Sequence, residues 1–244
     1  MITPKDIEKK TMTEAKRAEA KNSFVAFYLG RPLTYILTVP FLYTSITPNT
    51  VTIVSIIFVI ASFVCFTVAT TSSMRLLGLF LLFLWAVFDG IDGNIARYKN
   101  LKSTSGDLLD TLGGYLAIVV VFLGMGNMAY HDSLSSVYIS KEFIIEIAGL
   151  STALSLIPRL LMHRQIALHN NSNADILKDK SNYSIAKIIA LNICDPAGAQ
   201  VIIILLAILF HLESEFTIGY FGLNLAIMVY SLQTMIKNSG NSKL

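Results

Sequence analysis

Charge is what this 244-residue chain has least of. Asp, Glu, Lys and Arg make up 14% of it, against roughly 25% in soluble globular proteins. A disordered chain or a nucleic-acid-binding arm needs far more, so both are excluded. Only two cysteines occur, Cys65 and Cys194, each inside an apolar run, and no disulfide framework can be built from them. No Cys/His spacing suits zinc, no glycine loop suits a nucleotide phosphate, and no Ser/His/Asp arrangement can be assembled. The first twenty residues also lack the apolar core of a cleavable signal peptide. What abounds is apolar side chain: 54% of residues, with a mean hydropathy of +0.61. The chain reads as an all-α, polytopic integral membrane protein.

Crossing the hydrocarbon takes about 20 mostly apolar residues. Six stretches meet this: Asn49–Thr70, Met74–Ile95, Asp107–Ala129, Lys141–Met162, Ile185–Phe210 and Phe216–Ile236. Residues 1–22 are a polar tail. Phe24–Ile46 is moderately apolar but carries Arg31, Pro32 and Pro40, and reads as an interfacial amphipathic helix broken at the prolines. Residues 1–48 are thus tail and interfacial helix, and 49–244 a six-span membrane domain. With six spans both termini share one side. That side receives every Lys and Arg except Arg75 and Lys141, which makes it cytoplasmic. Residues 170–184 form a polar cytoplasmic loop.

Carboxylates at a span are costly, yet Asp89, Asp92, Asp107 and Asp110 stand close together in sequence. Asp89 and Asp92 are three apart at the cytoplasmic end of the second span and share a helix face. Asp107 and Asp110 repeat the spacing at the start of the third. A short connection makes these spans antiparallel neighbours, so both pairs can converge. Hard oxygen ligands of one sign call for one or two divalent cations, Mg²⁺, Mn²⁺ or Ca²⁺. Gly90, Gly93 and Gly106 leave room for a ligand near the backbone, and Arg97 can hold a phosphate. The competing reading is helix-end charges paired with Arg97, Lys99 and Lys102.

Asp89-Gly-Ile-Asp92-Gly93-Asn-Ile-Ala96-Arg97, eight residues, then Gly106-x3-Asp110 resembles the signature of the CDP-alcohol phosphatidyltransferase family, D-x2-D-G-x2-A-R-x8-G-x3-D-x3-D. Thr47-Pro48-Asn49-x2-Thr52 resembles the T-P-N-x-x-T that opens the first span in these enzymes. Arg31-Pro32-Leu33-Thr34 resembles the interfacial helix of the inositol-phosphate and related branches. The resemblance implies a six-helix membrane enzyme, a homodimer, with two Mg²⁺ or Mn²⁺ ions held by aspartates on the cytoplasmic side. An alcohol acceptor attacks the β-phosphorus of a CDP-alcohol, CDP-diacylglycerol or a soluble one, and CMP leaves. Asp89, Asp92 and Asp110 would be metal ligands. Asn49, Thr52, Gly93, Ala96, Arg97 and Gly106 would line the nucleotide site.

The fourth aspartate of the signature is missing: Gly114 stands there. In the family that residue is the proposed general base. Asp107 projects on the same helix face as Gly114, about 10 Å away along the axis. Asp107 can complete the metal site and serve as base, or it can be a charge at a helix start with no catalytic part. Elsewhere, Asp195-Pro196 lies inside the fifth span and Arg159 near the cytoplasmic end of the fourth. These two pair with each other, or Arg159, with Arg164 and Lys187, binds the acceptor or head group. Trp85 is read as packing and His163 and His169 as surface residues. The alternatives to a transferase are a catalytically degenerate nucleotide-binding relative and a small membrane transporter.

Overall fold

The computed structural model describes residues 1–132, 139–168 and 185–241. All regular elements among them are helical. Helices α1 (Pro4–Thr11) and α2 (Glu14–Ala20) lead into a π-helical turn, Ala26–Gly30, and α3 (Arg31–Leu42). Then come α4 (Pro48–Thr67), α5 (Ser72–Lys99), α6 (Thr104–His131), α7 (Lys141–Leu168), α8 (Ile185–Ile193), α9 (Ala199–Phe210) and α10 (Glu213–Asn241).

The long helices start where the sequence supplies caps. Thr47 accepts the Thr50 N–H and Pro48 fills the first turn of α4. Thr71 caps α5 and Ser103 caps α6, the latter through the Gly106 N–H at 3.1 Å. Asn100, with φ 55°, ends α5 in the left-handed conformation, so α5 and α6 run antiparallel across a short turn. The core joins α4, α5, α6, α9 and α10. Its wedge is Phe66, whose ring lies where a Cβ at Gly78 or Gly124 would come within 2.5 and 2.8 Å.

Five helices are long and apolar enough to cross a membrane: α4, α5, α6, α7 and α10. The sixth expected span is not one helix. The segment 185–210 divides into α8 and α9, and α9, with 12 residues, is about 18 Å long. Pro196 explains the break, since it has no N–H to continue α8. Asp195 completes the turn: its Oδ1 accepts the Ala197 N–H at 3.1 Å and its carbonyl the Gly198 N–H at 2.9 Å.

The N-terminal region departs from expectation twice. Residues 1–22 are not a bare tail. Thr3 and Asp6 form a reciprocal capping box that starts α1, and Ile7, fully buried, and Met12 pack with Tyr35, Val87, Ile91 and Ile95. Nor do the prolines break the next segment. Pro32 sits in the first turn of α3, and the helix continues through Pro40 to Leu42. Asn94 of α5 holds α3 from within, its Nδ2 donating to Thr38 Oγ1 at 3.2 Å. Asn192 of α8 holds the start of the segment, accepting the Phe24 N–H at 2.7 Å and donating to the Asn22 carbonyl at 2.6 Å.

Candidate active site

A cavity of about 460 Å³ opens between the α5–α6 turn, the start of α4 and the π-turn with α3. Asp89, Asp92, Asp107 and Asp110 all line it, as do Asn49, Thr52, Gly93, Ala96, Arg97 and Gly106. Ten of the expected residues therefore meet at one place. The i,i+3 spacing on α5 and α6 achieves this, because each pair keeps to one helix face and the antiparallel turn apposes the faces.

Within the cavity the carboxylates are not alike. Asp92 is buried, and Thr52 Oγ1 donates to its Oδ2 at 2.5 Å. Thr52 thus fixes a carboxylate. Asp89, half-buried, lines the cavity together with Asp92 and Asp110. Asp107 and Asp110 are exposed at the start of α6. Asn49 donates to Ser105 Oγ at 3.2 Å and ties α4 to the same turn.

The glycines are more occupied than their small size suggests. A Cβ on Gly90 would meet Thr34 Cγ2 at 2.6 Å, so this glycine admits α3. The Arg97 guanidinium lies over Gly93, at 3.0 Å from such a Cβ, and donates to Asn94 Oδ1 at 3.1 Å. Beside Gly106 stand Asn49 Oδ1 and Ser103 Oγ. Gly114 differs: a Cβ there meets nothing within 4 Å.

Other expected residues lie elsewhere. Arg159 and Arg164 are exposed on α7 and are not in the cavity wall. Arg159 forms no ion pair with Asp195, whose Oδ1 is turned to its own backbone. Lys187 belongs to α8, and its side chain is outside the described residues, as are His169 and the loop 170–184. His163 is exposed, with Tyr115 Oη 2.7 Å from its Nδ1. Trp85 is core, facing Gly113.

Among the lining residues that the sequence did not single out for the site are Arg31, Thr34 and Lys102. The first two belong to the segment that reads as an interfacial helix and resembles that of the inositol-phosphate branches, and Lys102 reads as an ion-pair partner. Lys16 of α2 stands near this wall. Partial burial, then the charges of Arg97, Lys102 and Arg31, hold its ammonium below the usual lysine range.

Among the described residues, the closest convergence of carboxylate and imidazole atoms is elsewhere. Asp132, His211 and Glu213 bring ligand atoms within 4.8 Å of one another. Asp132 follows Asp110 by 22 positions along α6, about 33 Å at 1.5 Å per residue, so this group lies at the opposite end of the helices. Arg75 sits among them, with Nη1 2.6 Å from Glu213 Oε1 and Nη2 3.7 Å from Asp132 Oδ1. A guanidinium already supplies the counter-charge there. The cavity aspartates have none so close: no Lys or Arg comes within 4.0 Å of them among the described residues. Their all-oxygen donor set fits a hard divalent cation.

No curated protein matches the chain. The family model for CDP-alcohol phosphatidyltransferase matches residues 45–235. That stretch begins just before the Thr47 cap of α4, takes in the α5–α6 aspartates, and runs nearly to the end of α10. The chain belongs to the CDP-alcohol phosphatidyltransferase family, membrane transferases of substituted phosphate groups that act on CDP-alcohols.

Proposed function

We propose that this protein is a metal-dependent CDP-alcohol phosphotransferase in which an acceptor hydroxyl attacks the β-phosphorus of the donor. A phosphodiester forms and CMP leaves. The observation that carries this reading is the meeting of Asp89, Asp92 and Asp110 in one cavity, with no Lys or Arg within 4.0 Å of them among the described residues. Asp89, Asp92 and Asp110 would hold Mg²⁺ or Mn²⁺, two ions by analogy with the family. Metal bound there would supply positive charge against the donor's diphosphate and the departing CMP.

The chain's own residues do the rest. Thr52 keeps Asp92 in one rotamer, which preserves the ligand spacing between turnovers. Asn49 holds the α5–α6 turn against α4, so the nucleotide meets a fixed wall. Asp107, at the rim, takes the proton of the acceptor hydroxyl in place of the absent fourth carboxylate. Asp195, beyond Asp89, adds negative charge to the same region.

The arrangement in the bilayer belongs to the same reading. α8 and α9 together make one crossing, giving six, and α3 lies in the interface. The distribution of Lys and Arg puts both termini and the cavity in the cytoplasm. Residues 49–244 are the catalytic membrane domain, and the enzyme is a homodimer. The donor is CDP-diacylglycerol or a soluble CDP-alcohol.

The test is CMP release by the purified protein from radiolabelled CDP-diacylglycerol and from soluble CDP-alcohols, with Mg²⁺ or Mn²⁺ and a panel of alcohols. Release that stops with EDTA and resumes with metal is expected. No release from any donor, by protein that is monodisperse and folded, would leave a nucleotide-binding relative without turnover.

A further inference from the structure

The family match begins at residue 45, yet one side of the cavity is built from residues before it. Ala26, Gly30, Arg31 and Thr34 all face the cavity. The π-turn Ala26–Gly30 puts its two small residues against the opening and delivers Arg31 as the first residue of α3. Isolated π-turns recur where a helix is bent to a functional purpose. Here both ends of the segment are fixed, by Asn192 at Phe24 and by Asn94 at Thr38. Arg31 is therefore held at the wall by structure on either side of it.

Three cations, Arg31, Arg97 and Lys102, line a cavity that also holds four aspartates. Opposite charges in a half-buried space ordinarily collapse into ion pairs. Here none of the three cations lies within 4.0 Å of a carboxylate among the described residues. Arg97 feels Arg31 as well as Asp92 and Asp110, and Arg31, Arg97 and Lys102 all bear on Lys16. Like charges gathered in this way favour an anion between them. A planar guanidinium matches two phosphate oxygens at once.

We infer that Arg31, supplied by the segment outside the family match, is a phosphate-binding residue of the active site and acts with Arg97 and Lys102. The phosphate belongs to the donor's diphosphate or to a phosphorylated acceptor. This inference rests on the reaction proposed above, which names what the cavity holds.

The experiment compares wild type, Arg31→Ala, Arg31→Lys and Lys21→Ala in the full-length protein. Lys21 is exposed on the same segment and outside the cavity wall. Binding of inorganic pyrophosphate and inorganic phosphate is measured by calorimetry. KM and kcat are measured for CDP-diacylglycerol, and for glycerol 3-phosphate against glycerol as acceptor. Arg31→Ala should weaken anion binding and raise one KM by roughly 10- to 100-fold, the loss of a charged hydrogen bond. Arg31→Lys should recover part of it, and Lys21→Ala should match wild type. A raised donor KM assigns the donor's diphosphate, and a raised glycerol 3-phosphate KM the acceptor's phosphate. Unchanged anion binding and unchanged KM values in Arg31→Ala would overturn the inference. So would an equal loss in Lys21→Ala, which would leave only long-range charge. Should Arg31→Ala be misfolded by size-exclusion, Arg31→Gln replaces it under the same criteria. A wild type that releases no CMP would sink the proposed reaction instead, while the calorimetry still reads Arg31.

Discussion

The two ends of the helix bundle hold similar residues in opposite arrangements. At one end Arg75 reaches Glu213 and Asp132, and His211 Nδ1 lies 3.3 Å from Asp132 Oδ1. Arg75, Asp132 and Glu213 are almost wholly buried, one guanidinium set between two carboxylates. At the other end Asp89, Asp92 and Asp110 share a cavity, and no Lys or Arg lies within 4.0 Å of them among the described residues. The first arrangement joins α5, α6 and α10 around a cation of the chain's own. The second has no such cation at ion-pair distance among the described residues. Buried carboxylates paired with a guanidinium act as a structural clamp, whereas carboxylates gathered in a cleft without one mark a candidate functional site.

The sharpest test exchanges charge for neutral isosteres at the cavity end. Asp89→Asn, Asp92→Asn and Asp110→Asn should each lower turnover to below about a tenth of wild type at saturating metal, because ligands of one site act as a unit. In EDTA the same variants should melt no lower than wild type in detergent, since mutual repulsion has been relieved. A variant that retains its rate is no ligand.

Next comes Asp107→Asn. Loss of a general base should slow turnover by about 100-fold or more. Gly114→Asp in that background should recover part, because the space beside Gly114 is open and both positions lie on one face of α6. If the Asp107→Asn rate is unchanged, Asp107 is a helix-start charge, contributing about 0.3–1 kcal/mol to stability. The steady-state rate decides.

At the closed end the expectation reverses. Arg75→Ala leaves Glu213, with no exposed surface, beside Asp132 without a counter-charge, and should cost about 3–5 kcal/mol of stability. CMP release per folded molecule should stay at the wild-type value. A chemical-denaturation midpoint together with an active-site titration separates the two. A variant as stable as wild type but inactive would erase the contrast between the ends.

The smallest effect probes how tightly the N-terminal segment seals the open end. Gly90→Ala pushes a methyl into Thr34 and should destabilise by about 1–3 kcal/mol. Thr34→Ser removes the opposing Cγ2 and should restore part of that loss. Melting temperatures of the single and double variants give the coupling.

The open end was far more legible in the sequence than the closed one, for a physical reason. Asp89, Asp92 and Asp110 are near in sequence, and helical periodicity alone carries them to one face. Arg75 and Glu213 are 138 positions apart, and no local pattern announces their pairing. The same limit hid the role of Gly90, since its neighbour Thr34 belongs to another helix. Two features have local signals. The capping box at Thr3 and Asp6 marks a helix start within the polar N-terminal tail, and Asp195-Pro196 with Gly198 marks a break within the fifth apolar stretch. Hydropathy smooths over both, because it averages across the residues that punctuate a helix.

The latch at Asn192 has a consequence for synthesis. Phe24 is made early and Asn192 168 residues later. The Phe24 end of the segment carrying Arg31 therefore cannot be latched until α8 has been translated, whereas Asn94 can hold its Thr38 end as soon as α5 is made. Contacts this distant form slowly, since the chain between them must be ordered first. The helices that bear the aspartates are complete well before then. A nascent chain therefore holds its carboxylates in place before the wall facing them is locked at both ends, and the order of translation sets the order in which the active site closes.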